Sequence, residues 1–218
     1  MATGRLIKFI SSEDLLYENS LEELVRAIDA TGAPLAFHNW KSIDIHGLML
    51  GASTSVPSGH TEVHSELLTR YVVAQRDNLI GGGENMLFDR EKAKLLPNRF
   101  GVDGFPLPHL GDLALCIHLS SMSPLIGVGV FGSAVRRIDL EPNRARAETR
   151  LVEHLEWEIL QRWCLDNGYI QNSDAPRMVR PYTEANDSSF TTLPVHPPFL
   201  TAEFEQFVNE QFATERRR

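Results

Sequence analysis

The sequence is poor in cysteine and has no long apolar run. Only two cysteines, Cys116 and Cys164, occur among its 218 residues. They sit far apart in apolar company, without the CxxC spacing of a metal or redox motif, so free buried thiols in a reducing compartment are expected. No stretch approaches the roughly eighteen apolar residues that a membrane helix needs. The opening MATGRLIKFISSEDLL is interrupted by Lys8 and soon turns acidic, unlike a signal peptide. A cytoplasmic protein without membrane contact is therefore expected. Positive charge is scarce as well: 21 Lys and Arg against 29 Asp and Glu give a formal charge of −8. The one basic cluster, Arg216-Arg217-Arg218, is too short to build a phosphate-binding face, so direct nucleic-acid binding is not expected. Gly81-Gly-Gly83 lacks the Lys-Ser or Lys-Thr pair of a phosphate loop. No G-x-S-x-G turn supports a serine nucleophile.

What the chain does contain is an ordinary globular composition, 42% hydrophobic and 23% charged. Ser20-Leu-Glu-Glu23 reads as a capping box, with Leu21, Leu24, Val25 and Ile28 on the helix that follows and a stop near Gly32. Residues 34–40 and 43–50 read as strands linked tightly through Lys41-Ser42. A helix is expected from about 60 to 80, ended by Gly81-Gly-Gly83, then an irregular crossing over 84–111 with one short helix around Asp89–Leu96. Residues 112–135 read as two buried strands around a Ser-Met-Ser-Pro turn. A long helix from Pro142-Asn143 to about Asp166 carries Leu151, Leu155, Ile159 and Trp163 on its inner stripe and stops at Asn167-Gly168. From 171 onward prolines accumulate, and an amphipathic helix is expected over 201–212. The expected organisation is one α+β domain over 1–170, with a mainly antiparallel sheet flanked by helices, followed by an arm over 171–218.

Three groups of residues carry chemical interest. His60 and His64 lie four apart, on one face of the expected helix, a spacing that suits two metal ligands. The alternative is a solvated first turn. Cys116 and His118 lie two apart and would share one strand face, where His38 could join them in a Cys-His nucleophilic site. Core packing of the thiol, with the imidazole lining a cavity, is the competing reading. Phe37-His38-Asn39-Trp40 places His38 and Trp40 on one strand face, good lining for a pocket that orients a small organic ligand. The Gly127-x-Gly129-x-x-Gly132 spacing lies inside a strand run, where small residues serve a bend or close packing better than a dinucleotide.

The element order resembles ligand-sensing domains of the PAS/GAF type, closest to the autoinducer-binding domain of LuxR-type regulators. Asp77-Asn-Leu-Ile80 looks like that family's Asp-Pro-Val-Val segment, and Phe100-Gly-Val-Asp-Gly104 looks like its Phe-Gly-Ile stretch. Arg137-Ile-Asp-Leu-Glu141 is similar to its entry to the last helix. Asn78 stands where the family has proline, His64 and Leu68 replace its tryptophan and tyrosine, and no helix-turn-helix follows. The resemblance implies an antiparallel sheet between helical layers, with a small molecule held between the sheet and one layer.

On this reading the chain is a small-molecule-sensing domain with His38, Trp40, Tyr71, Asp77 and His118 lining its pocket. Asp77 would accept a hydrogen bond from the ligand and Trp40 would cover the ligand's head. Two alternatives stay open: a metal- or His-dependent enzyme, and an interaction module in which residues 200–212 meet a partner or a second copy in a homodimer. No cofactor is assigned.

Overall fold

The computed structural model describes residues 3–73, 76, 78, 80–137 and 143–170, with backbone alone for Tyr71 and 143–151. The arm at 171–218 and its expected helix, Asp77, and the 138–142 segment lie outside the described residues.

The described chain is α+β. Its centre is a pair of long strands, β3 (Leu35–Ile43) and β9 (Leu125–Arg136), and this pair is parallel. Five short strands extend it antiparallel. Of these, β6 (Met86–Asp89) and β4 (Met49–Ser53) take successive halves of the free edge of β3. The opposite edge, on β9, is shared by β5 (His60–Val63) and β2 (Leu15–Leu16), and β1 (Leu6–Ile7) adds to β6. The sheet is therefore mixed, not mainly antiparallel as the sequence suggests. The reason lies in 112–135. Its first half is a helix, α4 (Gly111–Ser120), so β9 returns beside β3 through a long crossover rather than a hairpin.

The misreading of α4 has a physical cause. Leu113, Ala114, Leu115, Cys116, Ile117 and Leu119 are all buried, so no polar face gives the segment a helical period. Lys41-Ser42, expected as a link, lies inside β3; the link is Asp44–Leu48, where the Asp44 carboxylate accepts from the His46 and Leu48 amides. The helix expected over 60–80 is also corrected. His60-Thr-Glu-Val63 alternates exposed and half-buried residues and pairs with β9. Among the described residues of this segment only Ser65–Leu68 is α-helical (α2), continuing as a π turn over Thr69–Val73. Within 84–111 the expected short helix is present as α3 (Arg90–Lys94), N-capped by Asp89. The strand β6 before it and the small hairpin of β7 (Gly101–Val102) and β8 (Phe105–Pro106) are additions to that reading.

Helix α1 (Ser20–Thr31) covers one sheet face with Leu24, Ala27 and Ile28, against Ala36, Leu87, Ile126 and Val128. It ends as expected, with Gly32 in the left-handed region and its amide on Ile28 O at 2.7 Å. Its start differs: Asn19 is the N-cap, and Ser20 turns inward instead of closing a capping box. The larger core lies on the other face, where Leu35 and Phe37 of β3 meet α4, α2 and α5 (Asn143–Asp166). Each fully buried Leu, Ile or Phe there contributes about 1.5–3 kcal/mol relative to exposure. Along α5, Glu156, Trp157, Leu160, Gln161, Trp163 and Cys164 are buried, while Leu155 and Ile159 are half-buried and the Leu151 side chain is outside the description. The helix stops at Gly168, as expected.

The glycines of β9 answer a packing need. β9 slips twice against β3, around Asn39. A Cβ on Gly129 would stand 1.9 Å from Pro57 O, and one on Gly132 2.1 Å from His38 Cδ2. Only glycine lets the strand pass this close. No helix among the described residues is long and apolar enough to cross a membrane.

Candidate functional site

The residues expected to form one pocket are distributed over different environments. His38 lies on the α1 side of the sheet, fully buried, with Nε2 3.0 Å from Ser20 Oγ and Nδ1 3.1 Å from Asn39 O. His118 sits on α4, its Nε2 2.9 Å from Gly101 O and its ring edge-on to Trp163 at 5.0 Å. Cys116 and His118 do not share a face, because two helical residues stand about 200° apart rather than side by side as on a strand. The Cys116 thiol meets Met86 Sδ at 3.9 Å instead. Burial pushes both thiols well above their ordinary range, which leaves them inert as nucleophiles. His60 is an exposed residue of β5 and His64 caps α2, so they share no helical face. His64 has Glu62 within 3.7 Å. Among the described residues no group of three or more His, Cys, Asp or Glu is placed to hold a metal. Tyr71 contributes backbone only and Asp77 is outside the description. Trp40 remains, half-buried, with Arg137 over its ring at 5.8 Å and a buried indole N–H that has no acceptor among the described residues.

The orphan donor on Trp40 adjoins the 81–85 loop. A Cβ on Gly81 would come within 2.8 Å of Trp40 Nε1. The loop is tied at every step. Asn78 bonds the Gly81 carbonyl and amide at 2.9 and 3.1 Å, and the Asn85 amide reaches Gly82 O at 3.0 Å. Gly82 N and Asn85 Nδ2 both donate to Glu84 Oε1, at 3.3 and 3.1 Å, and Ser133 Oγ donates to Asn85 Oδ1. Gly83 N donates to Asp112 Oδ2 at 2.7 Å. Lys8, just beyond β1, sends its ammonium onto Glu84 O at 2.6 Å.

Lys8, Glu84, Asp112 and His38 make up four of the eight ionisable groups that are shifted among the described residues. Burial raises the carboxyls of Glu84 and Asp112, and for Glu84 the nearby charges of Asp14 and Asp112 add to the effect. Burial lowers Lys8 to about 8, opposed by the Glu84 charge. His38 is lowered to about 4, first by burial and then by the Lys8 charge. Desolvated titratable groups of this kind cluster at functional sites, which makes this region a candidate.

Beside the loop is an open cleft of about 250 Å³, lined by Phe100, Pro106, Leu107, Pro108, Gly111 and Asp112. Its walls are apolar, and Asp112, in the first turn of α4, is its one charged group. The Gly83 amide holds one carboxylate oxygen, and the other has no hydrogen-bond partner among the described residues. Phe9 closes the loop side, its ring 5.7 Å from Phe88 and 5.9 Å from Phe100. A second groove of about 300 Å³, lined by Ser65, Glu66, Arg70, Gly168 and Tyr169, is polar, and its Glu66 and Arg70 already pair at 3.1 Å. The cleft at Asp112 therefore has the stronger claim: apolar walls with one unspent charge orient a ligand.

Lys8, Glu84, Asn85 and Asp112 escape a reading by spacing, since β1, the loop before β6 and α4 bring them together from distant parts of the chain. One local signal was available: an acid directly preceding the uninterrupted apolar run 113–117. No family model matches the sequence, and no curated protein matches it either.

Proposed function

We propose that this chain is a small-molecule-binding domain of the sensing type, and that its ligand carries an apolar body with a cationic or hydrogen-bond-donating head. The body occupies the Phe100–Pro108 cleft and the head meets Asp112. The observation that carries this reading is the Asp112 carboxylate, which lines apolar walls with one oxygen fixed by Gly83 N–H and the other without a hydrogen-bond partner among the described residues. A carboxylate so placed bonds a primary amine through a charge-assisted hydrogen bond, which is stronger than one between neutral groups. The indole N–H of Trp40 at the other end of the same loop, buried and without an acceptor among the described residues, supports it, since buried donors are normally satisfied. The layering of a sheet between α1 and the α4–α5 side is compatible with the PAS/GAF resemblance, which stands as part of the proposal.

Recognition needs no covalent step, and both buried thiols are too basic to provide one. The carboxyl of Asp112 is raised above its ordinary range, so binding of an amine should begin to fail on acidification at a higher pH than an exposed aspartate would give.

Thermal melting of the full chain with matched series of arylalkyl amines, alcohols and carboxylates tests the proposal. Amines should raise the melting temperature with concentration, as any ligand of the folded state must, while matched carboxylates should not. An Asp112→Asn variant, which keeps an acceptor for Gly83 N–H, should fold and lose the response. No shift with any amine, or an undiminished shift in that variant, would overturn the reading.

A further inference from the structure

Lys8, just beyond β1, is half-buried, and its ammonium meets backbone alone among the described residues. Nζ donates to Glu84 O at 2.6 Å and, more loosely, to Met86 O at 3.5 Å. No carboxylate among the described residues pairs with it, and no acceptor there takes its third N–H. Charges drawn out of water are ordinarily paired. Elsewhere the chain gives its lysines an anion or a π face. Lys94 pairs with Glu91 at 2.9 Å, and Lys41 stands over the Tyr17 and Phe131 rings at 5.4 and 5.0 Å.

The two carbonyls decide where the lone pair of this nitrogen goes. A neutral amine keeps two N–H bonds, enough to serve both Glu84 O and Met86 O, so the position of the third proton becomes the lone pair. The neutral form therefore gives up no hydrogen bond among the described residues. Burial favours the same form and lowers Lys8 to about 8, opposed by the Glu84 charge. At pH 8 about half of Lys8 is then neutral, against under about 1% of an unperturbed lysine.

We propose that Lys8 is a site of covalent capture for small aldehydes, with which its amine condenses to an imine. The inference is independent of the Asp112 cleft. The lone pair adds to the carbonyl carbon, one N–H proton moves to the carbonyl oxygen, and the carbinolamine loses water as the C=N bond forms. Neither partner is oxidised or reduced. Taking up a proton from solvent, the imine keeps one N–H for Glu84 O and releases only the looser bond to Met86 O. Its positive charge stays where the lysine had it, under the attraction of Glu84. An aldehyde suits a half-buried amine better than a ketone, because its carbonyl carbon bears a single substituent.

Limiting propanal with cyanoborohydride, applied to the full chain and followed by peptide mass mapping, tests the assignment. The reductant fixes each imine as a stable propylamine. Near neutral pH Lys8 should be labelled about tenfold faster than Lys94. The gain in neutral amine is about a hundredfold, partly offset because a weaker base is a weaker nucleophile. The ratio of the two rates cancels the pH dependence of the reductant. It should fall as pH rises above about 8, where Lys8 is already neutral. In urea, where the fold no longer holds the amine, the preference should vanish. Equal labelling of Lys8 and Lys94, a ratio that does not fall with rising pH, or a preference that survives urea would overturn the proposal.

Discussion

His38 shows how far a single residue's environment determines its chemistry. Its imidazole is enclosed by Ser20, the Asn39 carbonyl and the bare backbone of Gly132, with Lys8 close enough to disfavour a second positive charge. In the folded chain its pKa lies at about 4. In the unfolded chain the ring returns to about 6.5, so between these values the unfolded state binds the additional proton. The stability that neutral His38 contributes is complete above the upper value and drains away as pH falls toward the lower one. Over that window the loss amounts to at most about 3 kcal/mol. A His38→Gln variant should lose less stability than wild type between neutral pH and the lower value, measured by urea midpoints. The comparison isolates His38, because the raised carboxyls of Glu84 and Asp112 act in the opposite sense in both proteins. Equal acid losses would contradict the assignment. At this scale the sequence is a partial guide. His38 and Trp40 were legible as polar groups in an apolar strand, but whether each faces a cavity or a partner depends on residues far away, such as Ser20 and Gly81.

Among the elements, α1 and α5 were legible because their apolar residues recur at helical spacing and Gly32 and Gly168 stop them. Where that contrast fails, pattern reading fails with it. α4 is apolar on every side, and the four residues of β5 follow a proline and a glycine that equally suit a helix start. The start of α4 also depends on an element remote in sequence. Glu156 of α5 accepts from His109 N at 2.9 Å and Leu110 N at 2.8 Å, occupying the amides that no helical carbonyl can reach. Replacing it with alanine leaves the buried Leu110 amide and the part-buried His109 amide unpaired, which should cost about 2 kcal/mol of unfolding free energy. Glu156→Gln retains an acceptor and should cost less. Urea denaturation of the two variants checks the order, and equal losses would show that the cap is not what holds this turn.

At the scale of the molecule, the parallel pair β3 and β9 is the frame on which everything else depends. It separates the α1 side, where His38 is sealed, from the side where α4 presents Asp112 to the cleft. The α+β class was legible, because buried strands and amphipathic helices each left their own period. The parallel centre was not, because it rests on the one segment whose period is hidden. The candidate site was not legible for a related reason: Lys8, Glu84 and Asp112 become neighbours only when β1, β6 and α4 converge. The central claim is that this convergence forms an amine-recognising cleft. The most direct measurement is amide chemical-shift mapping of the full isotope-labelled chain during titration with an arylalkyl amine. Saturable shifts should centre on Gly83, Gly111 and Asp112 and vanish in Asp112→Asn. Shifts absent from these amides, or unchanged by that substitution, would contradict the account.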